Sequence, residues 1–240
     1  MDSIDRKRVV LSIPYAESMR LIRANLRAAG YEVVTEAGYA EVLEELEGPA
    51  KSRCDLAVIG EQPKDYDTVE FLRLFRIKSD VPLIMMAGAV DSIGAAAALN
   101  AGADDFLSYP YSAEEFLARA ASVIRRAYKV QADETKGKMV LGALTIDTNQ
   151  RRVIIRGKVV ALTPIEYGIL YYLAERVDRV VSHGELLSHI WGPEYETYIH
   201  YLRVGVGRLR QKIEKVPSAP VHLVTCSGVG YMLRDIKDPV

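Results

Sequence analysis

The chain has 240 residues, of which 49% are hydrophobic and 26% charged, and its net charge at pH 7 is -1. At roughly 100 to 200 residues per domain, this length predicts two ordinary domains. The apolar runs are too short to cross a bilayer, and the polar start MDSIDRKR lacks the apolar core of a secretory signal. We therefore expect a cytoplasmic protein without a membrane span. Cys54 and Cys226 lack CxxC spacing, which predicts reduced thiols and neither metal ligands nor a disulfide.

Residues 1–128 alternate short strands with longer helical patterns. The strand segments VVLSI, YEVVTEA, DLAVIG, PLIMM and DFLSY are each followed by a helical segment. Gly30 is placed to end the first helix, and Ser112 with Glu115 predicts a capping box for the last one. Five successive βα units predict an α/β domain in which a parallel sheet carries helices on both faces.

Residues 129–138, KVQADETKGK, are mostly polar and predict a linker. Residues 139–236 then show short strands, three helices and a glycine-rich hairpin, HLVTCSGVGYML. Capping boxes that begin at Thr163 and Ser182 start the first two helices. Helix, turn, helix, longer loop, helix and hairpin is the order of a winged helix, so we expect a smaller α+β domain of the winged helix-turn-helix type.

The two halves of the chain also differ in charge. Residues 1–128 hold 15 Lys and Arg against 20 Asp and Glu, a net charge of -5. Residues 139–240 hold 13 against 10, a net charge of +3, and all four histidines. This difference favours an anionic partner for the C-terminal part.

The third helix of that part, HYLRVGVGRLRQKIE, is amphipathic. Its apolar stripe, which we expect to face the core, comprises Leu202, Val206, Leu209 and Ile213. A helix that carries arginines on its other side can lie in a DNA major groove, although a solvated basic face is the alternative. Gly205 and Gly207 each cost about 1 kcal/mol relative to alanine in a helix interior. This cost indicates that another backbone approaches closely.

The segments LTPIEYGILYYL, VVSHGELLSHIWG, HYLRVGVGRLRQKIE and VTCSGVGYML make residues 139–235 resemble the DNA-binding domain of OmpR/PhoB-type response regulators. Within this family, the segments LTPIEY, WGP, HYLR and LRQKIE are especially similar to those of regulators of Kdp potassium-transport operons. The resemblance implies a homodimer on tandem half-sites of double-stranded DNA. It also implies a contact with RNA polymerase through the loop from Pro193 to Tyr198, whose glutamates could equally be solvated.

The resemblance further implies which residues meet DNA. The set comprises Trp191, His200, Tyr201, Arg203, Val204, Gly207, Arg208, Arg210, Thr225 and Ser227. Within this set Arg203, Val204 and Arg208 would read base edges. The others would approach the phosphate backbone or, at the wing tip, the minor groove. For Trp191 and Tyr231, packing in the core is an equally open interpretation.

The five βα units in turn resemble a receiver domain, the flavodoxin-like phosphorylation switch of two-component signalling. Such a domain needs two acidic residues after strand one, an aspartate nucleophile after strand three, Thr or Ser after strand four and Lys after strand five. These positions hold Ile13, Pro14, Gly60, Ala87 and Tyr109. None supplies the required group, so we predict a receiver-like domain with no metal cofactor and no enzymatic activity.

We accordingly expect a dimer that forms without phosphorylation. In the family the dimer face consists of helix four, strand five and helix five, and the matching positions here are Ala95, Asp104, Asp105, Glu115, Arg119 and Arg126. Helix four, DSIGAAAALNAGA, predicts an apolar contact, although alanine runs also simply favour helices. Two alternatives remain open: a small-molecule ligand in the former phosphorylation pocket, or phosphorylation of Glu61, Asp65 or Asp67.

Overall fold

The computed structural model describes residues 6–36, 38–47, 54–62, 67–88, 94–129, 137–150 and 152–236. The chain divides into two compact units, Met1–Ile124 and Arg125–Val240. In the described part of the chain, no helix has the length and apolar character needed to cross a membrane. The division falls inside a helix, close to the domain end at residue 128 that the sequence predicts.

The first unit is a parallel five-stranded sheet in the order β2-β1-β3-β4-β5. Strands β1 to β5 span Arg8–Ser12, Glu32–Glu36, Leu56–Gly60, Leu83–Ala87 and Asp105–Ser108. Helices α1 to α5 span Ala16–Ala28, Tyr39–Glu47, Thr68–Lys78, Ala95–Ala101 and Ala113–Lys129. All five predicted βα units are confirmed, and the strand order is that of a flavodoxin-like fold.

Burial and helix ends explain why these residues form this unit. The apolar runs of β3 and β4 are buried at every residue, as central strands covered on both faces require. Gly30 follows the end of α1 with φ +89°, a conformation that glycine adopts at little cost. At the start of α5 the Glu115 backbone N–H donates to the Ser112 hydroxyl at 3.0 Å, so the predicted helix start is confirmed.

The second unit combines three helices with two antiparallel sheets, of order β6-β7-β8-β9 and β10-β12-β11. Strands β6 to β12 span Lys138–Leu141, Leu144–Asp147, Arg152–Ile155, Lys158–Val160, Val181–Ser182, Leu223–Cys226 and Gly230–Leu233. Helices α6 to α8 span Pro164–Ala174, His183–Ile190 and Ile199–Ile213. The predicted winged helix-turn-helix class is confirmed. Because α5 extends to Lys129 and β6 begins at Lys138, residues 130–137 connect these elements; of these, 130–136 lie outside the described residues.

The wing sheet has one strand more than the sequence predicts. Val181 and Ser182 form β10 and pair with Tyr231 and Gly230 of β12. A side chain at Gly230 would overlap the carbonyl oxygen of Val181, so this pairing requires glycine. A strand of two residues has no periodicity, and the sequence pattern therefore could not reveal it.

Candidate nucleic-acid interface and receiver pocket

Helix α8 has one buried and one exposed side, as the sequence predicts. Its apolar stripe packs inward, and each member is at most 2% exposed: Leu202, Val206, Leu209 and Ile213. The exposed positions on the other side are His200, Arg203, Gly207 and Gln211, with Val204 half-buried between them. The structure therefore brings together most of the predicted base-reading and phosphate-contacting residues of this helix.

The two glycines of α8 have different surroundings. A Cβ atom on Gly205 would lie 2.8 Å from Cδ1 of Ile169 in α6 and 3.6 Å from Cη2 of Trp191. A Cβ atom on Gly207 would have no protein atom within 4 Å. The close packing of α8 on α6 thus explains Gly205, whereas no described atom of this chain explains Gly207.

Arg210 connects α8 to the wing sheet. Its Nε and Nη2 donate to the carbonyl oxygen of Leu223 at 2.9 and 2.7 Å, and Nη2 also donates to Thr225 Oγ1 at 2.8 Å. Burial raises the pKa of the Tyr231 phenol, and the charges of Arg210 and Arg203 partly offset that rise, so both cations lie near this ring. Arg203, Arg210 and Thr225 therefore form a positively charged edge shared by α8 and β11.

Arg208 points inward, unlike Arg203. Its Nε donates to Oε1 of Glu166 at 3.1 Å, and its Nη2 donates to Thr163 Oγ1 at 3.4 Å. Lys212 Nζ donates to Oε2 of the same glutamate at 2.7 Å and to the Ala161 carbonyl at 2.9 Å. The guanidinium of Arg208 thus lies against the start of α6. To contact a base, it would have to leave Glu166.

Glu166 is predicted from the sequence only as the fourth residue of the capping box that begins at Thr163. The predicted capping box is confirmed, since Thr163 N–H donates to Oε2 at 2.9 Å and Glu166 N–H donates to the threonine hydroxyl at 3.4 Å. Burial alone would raise the pKa of Glu166. The charges of Arg208 and Lys212, with hydrogen bonds from Lys212 and Thr163, outweigh burial and lower this pKa below its ordinary value of 4.5. The only sequence feature that could have indicated this cluster is the i,i+4 spacing of Arg208 and Lys212, which places both cations on one side of α8.

Two aromatic residues of the predicted DNA-contacting set are buried. Trp191 is 1% exposed and Tyr201 is 4% exposed. Their ring centroids lie 6.4 Å apart in an edge-to-face arrangement, and His200 lies over Tyr201 at 4.6 Å. Core packing, one of the two interpretations open for Trp191 and Tyr231, accounts for the placement of both, since Tyr231 is 5% exposed.

The wing tip is a tight turn between β11 and β12. Val229 N–H donates to the carbonyl oxygen of Cys226 at 2.9 Å, and Gly228 at the third position has φ +73°. This geometry is that of a type II turn, which favours glycine there. Ser227, Gly228 and Val229 are exposed, so the tip presents one small polar and one apolar side chain.

In the first unit, the strand ends that correspond to a phosphorylation site are closely packed. A Cβ atom on Gly60 would lie 2.9 Å from Cδ of Pro14, 3.0 Å from Cδ1 of Ile13 and 3.2 Å from its Cα. Real Cβ atoms hardly ever approach another atom as closely as 2.9 Å, and the other two separations are tighter than most Cβ contacts. Ala87 ends β4 and accepts a hydrogen bond from Tyr109 N–H, while the Tyr109 side chain is exposed. A side chain at position 60 would therefore require Pro14 and Ile13 to shift.

Tyr39, which the sequence analysis did not identify, covers the same strand end from α2. Its hydroxyl donates to the Gly60 carbonyl at 3.0 Å and accepts a hydrogen bond from Gln62 N–H at 3.3 Å. The hydroxyl also lies 3.1 Å from Thr68 Oγ1, and the ring stacks on Phe71 at 3.9 Å. Burial raises the pKa of this phenol. A single tyrosine at a helix start has no spacing pattern, so no sequence pattern could indicate this role.

A receiver domain implies Mg²⁺, which requires carboxylate and carbonyl oxygens as ligands. The side chains at Ile13, Pro14 and Gly60 offer no oxygen, so these residues do not fit a magnesium site. In the described ranges no three His, Cys, Asp or Glu residues lie together as a metal site. Among the alternative acceptors, Asp67 caps α3 by accepting a hydrogen bond from Glu70 N–H at 2.9 Å. Glu61 is half-buried, and Asp65 lies outside the described residues.

Of the residues predicted for a dimer face, several are engaged within the chain. Asp104 is buried, forms an ion pair with Arg76 of α3 and accepts a hydrogen bond from Leu83 N–H at 2.8 Å. Arg126, which belongs to the second unit, is also buried. Ala95 at the start of α4 is half-buried.

The other three predicted dimer residues form an internal ionic chain. Arg119 of α5 donates through Nη1 to Asp105 at 3.1 Å and through Nη2 to Glu115 at 3.0 Å. Asp105 is fully buried, whereas Glu115 is exposed. These charges are therefore paired inside the monomer, and an intermolecular role for them stays a prediction.

Comparison with known proteins decides the family. Residues 157–233 match the family model described as "Transcriptional regulatory protein, C terminal". The KdpE transcriptional regulatory protein of Mycobacterium tuberculosis is 37% identical over 214 residues, covering 89% of this chain and 92% of that protein. The KDP operon transcriptional regulatory protein KdpE of Escherichia coli is 36% identical over 214 residues, covering 88% and 92%. The chain belongs to the OmpR/PhoB family of response regulators.

The solved structure of a RitR mutant shows the same fold as this regulator. It has a TM-score of 0.78 and 20% sequence identity, and the match covers 95% of this chain and 99% of that one. The family and fold predicted from the sequence are thus confirmed, and the regulator is a DNA-binding protein of this family. The roles of individual residues on DNA stay predictions.

The two glycines of α8 give a matched pair of variants. We expect Gly207→Ala to raise the free energy of unfolding by up to about 1 kcal/mol, because the helix gains propensity without a clash. We expect Gly205→Ala to lower that free energy, because its Cβ would press on Ile169. Urea denaturation of both variants measures the difference, and equal stabilisation by both would contradict the assigned packing of α8.

The charged state of Glu166 predicts how stability depends on pH. Because its folded-state pKa is lowered, its contribution is complete above the unfolded value of 4.5 and is lost as the pH falls through the folded value. The difference in unfolding free energy between wild type and Glu166→Gln should therefore be constant near neutral pH and shrink below pH 4.5. Urea denaturation at several pH values measures this; a difference that grows on acidification would refute it.

Proposed function

We propose that the regulator is a sequence-specific transcription factor that binds tandem DNA half-sites as a dimer without phosphorylation of its receiver-like unit. The packing at Gly60 carries the second part of this proposal. Pro14 and Ile13 crowd the position that the Cβ atom of an acceptor aspartate would take, with Cδ of Pro14 only 2.9 Å from it.

The chemistry of phosphoryl transfer supports the same proposal. Transfer to a carboxylate depends on a metal and on donors that neutralise the phosphoryl oxygens, and loss of one such donor costs on the order of 10² to 10³ in rate. Ile13 and Pro14 supply no metal ligand, Ala87 supplies no hydroxyl group, and Tyr109 supplies no cation. Because all of these groups are absent, nothing at these positions would accelerate phosphoryl transfer to a neighbouring carboxylate such as Glu61.

The exposed side of α8 is the surface we assign to base reading. Arg203 is exposed there and can donate to guanine edges or phosphates, while Val204 can contact a thymine methyl group. Gly207 lets the groove wall approach the helix backbone closely. Arg210 and Thr225 flank this surface, where they can meet phosphates, and the wing tip at Ser227 faces the minor groove in this arrangement.

Dimerisation in this proposal uses an apolar contact. The charges of Asp105, Glu115 and Arg119 are paired within the chain, whereas α4 exposes the small side chains of Ala96 and Ala97. An exposed apolar surface favours association.

The exposed Glu194 and Glu196 lie in the loop that we assign to contact with RNA polymerase. The filled space at Gly60 gives no support to a small-molecule site.

The phosphorylation and assembly states can be measured together. Untreated protein at micromolar concentration should sediment as a dimer. Incubation with acetyl phosphate and Mg²⁺ should leave its intact mass, sedimentation and DNA affinity unchanged, because no acceptor can be activated. A family member with an intact acidic site serves as the positive control for phosphorylation. A stoichiometric acyl phosphate, or monomers alone before treatment, would contradict the proposal.

The assignment of α8 predicts how discrimination depends on Arg203. Arg203→Ala should reduce the preference for a selected site over a scrambled duplex by ~1 to 3 kcal/mol, because a base contact is lost. Arg152→Ala is the matched control, since it removes an exposed arginine from β8 in the other sheet of the unit. Fluorescence anisotropy on both duplexes measures the preference. Equal losses in the two variants would show a general charge effect and no base reading.

A further inference from the structure

Two of the four cationic side chains on α8 converge on one buried carboxylate. Arg208 and Lys212 occupy the two oxygens of Glu166, which is 1% exposed. We propose that Glu166 is a positioning residue that sets DNA discrimination, because it withholds these two cations from the phosphate backbone. This inference rests on the proposed function of α8 as the DNA-reading helix.

The geometry restrains both cations at their ends. Arg208 reaches Glu166 Oε1 at 3.1 Å and Thr163 Oγ1 at 3.4 Å. Lys212 reaches Glu166 Oε2 at 2.7 Å and the carbonyl oxygen of Ala161 at 2.9 Å. Each cation therefore has at least two acceptors at the start of α6. Hydrogen bonds between ionised groups are among the strongest in proteins, so both side chains keep one orientation.

The position of Arg208 on the helix explains why this restraint matters for DNA. It follows Val204 by one helical turn, so the two side chains lie on neighbouring parts of the same side of α8. A released guanidinium there could reach a phosphate. Phosphate contacts add affinity for every sequence and carry no base information. Glu166 therefore lowers non-specific affinity more than specific affinity.

The role of Glu166 as a helix cap can be separated from its role as a restraint on the two cations. Glutamine has the same shape and retains an oxygen that can accept the hydrogen bond from Thr163 N–H, but it lacks the charge that holds Arg208 and Lys212. Glu185 is the matched control because its backbone N–H is likewise bound by a capping hydroxyl, that of Ser182, at the start of α7. Its carboxylate interacts with Tyr172 and Arg176.

The experiment compares Glu166→Gln and Glu185→Gln with wild type on a selected site and a scrambled duplex, between about 50 and 200 mM salt. Glu166→Gln should bind the scrambled duplex more tightly and lose about ten-fold in specificity ratio. Its log-log salt slope on that duplex should steepen by about 0.9 for each released cation that meets a phosphate. Glu185→Gln should change neither quantity.

A double variant tests whether a released cation causes the change. The double variant Glu166→Gln/Arg208→Gln removes one released cation together with its partner, so its salt slope should return towards that of wild type. An unchanged specificity ratio and slope in Glu166→Gln, or a double variant whose slope stays as steep as that of Glu166→Gln, would overturn this inference alone, provided that wild type binds normally. Wild-type protein that binds no duplex would instead overturn the proposed function on which the inference rests.

Discussion

The close approach of α8 to α6 is the constraint on which the DNA-binding unit depends. Gly205 permits this approach because a side chain there would press on Ile169. Glu166 adds a polar restraint beside the apolar one by joining the start of α6 to two cations of α8. The apolar and the ionic contact together restrain rotation of α8 about its axis and favour one set of outward-facing side chains.

The receiver-like unit shows that a fold and its chemistry depend on different residues. The sheet is maintained by buried apolar strands such as β3 and β4, and none of those contacts involves a phosphorylation group. At the strand ends, Pro14 and Ile13 pack against Gly60, and Tyr39 ties the following loop to α2. Ile13 and Pro14 have apolar side chains, so neither brings to these strand ends a charge whose burial would need compensation.

The sequence predicts the architecture because the relevant signals are local and repeated. Five alternating βα segments predict the parallel sheet, and the stripe from Leu202 to Ile213 predicts which side of α8 is buried. Contacts between distant elements have no such pattern. The pairing of Arg208 with Glu166, the position of Tyr39 over β3 and the inward pairing of Asp104 all depend on the folded geometry. The sequence identifies these residue types but does not show their partners.

The packing at Gly60 also has an evolutionary consequence. An aspartate introduced at position 60 would place its Cβ against Pro14 and Ile13, so this single substitution costs stability. A working phosphorylation site would also require acidic, hydroxyl and lysine side chains at the other strand ends. A path of single substitutions towards a phosphorylation site at this strand end therefore begins with a loss of stability, before any reactivity can be gained.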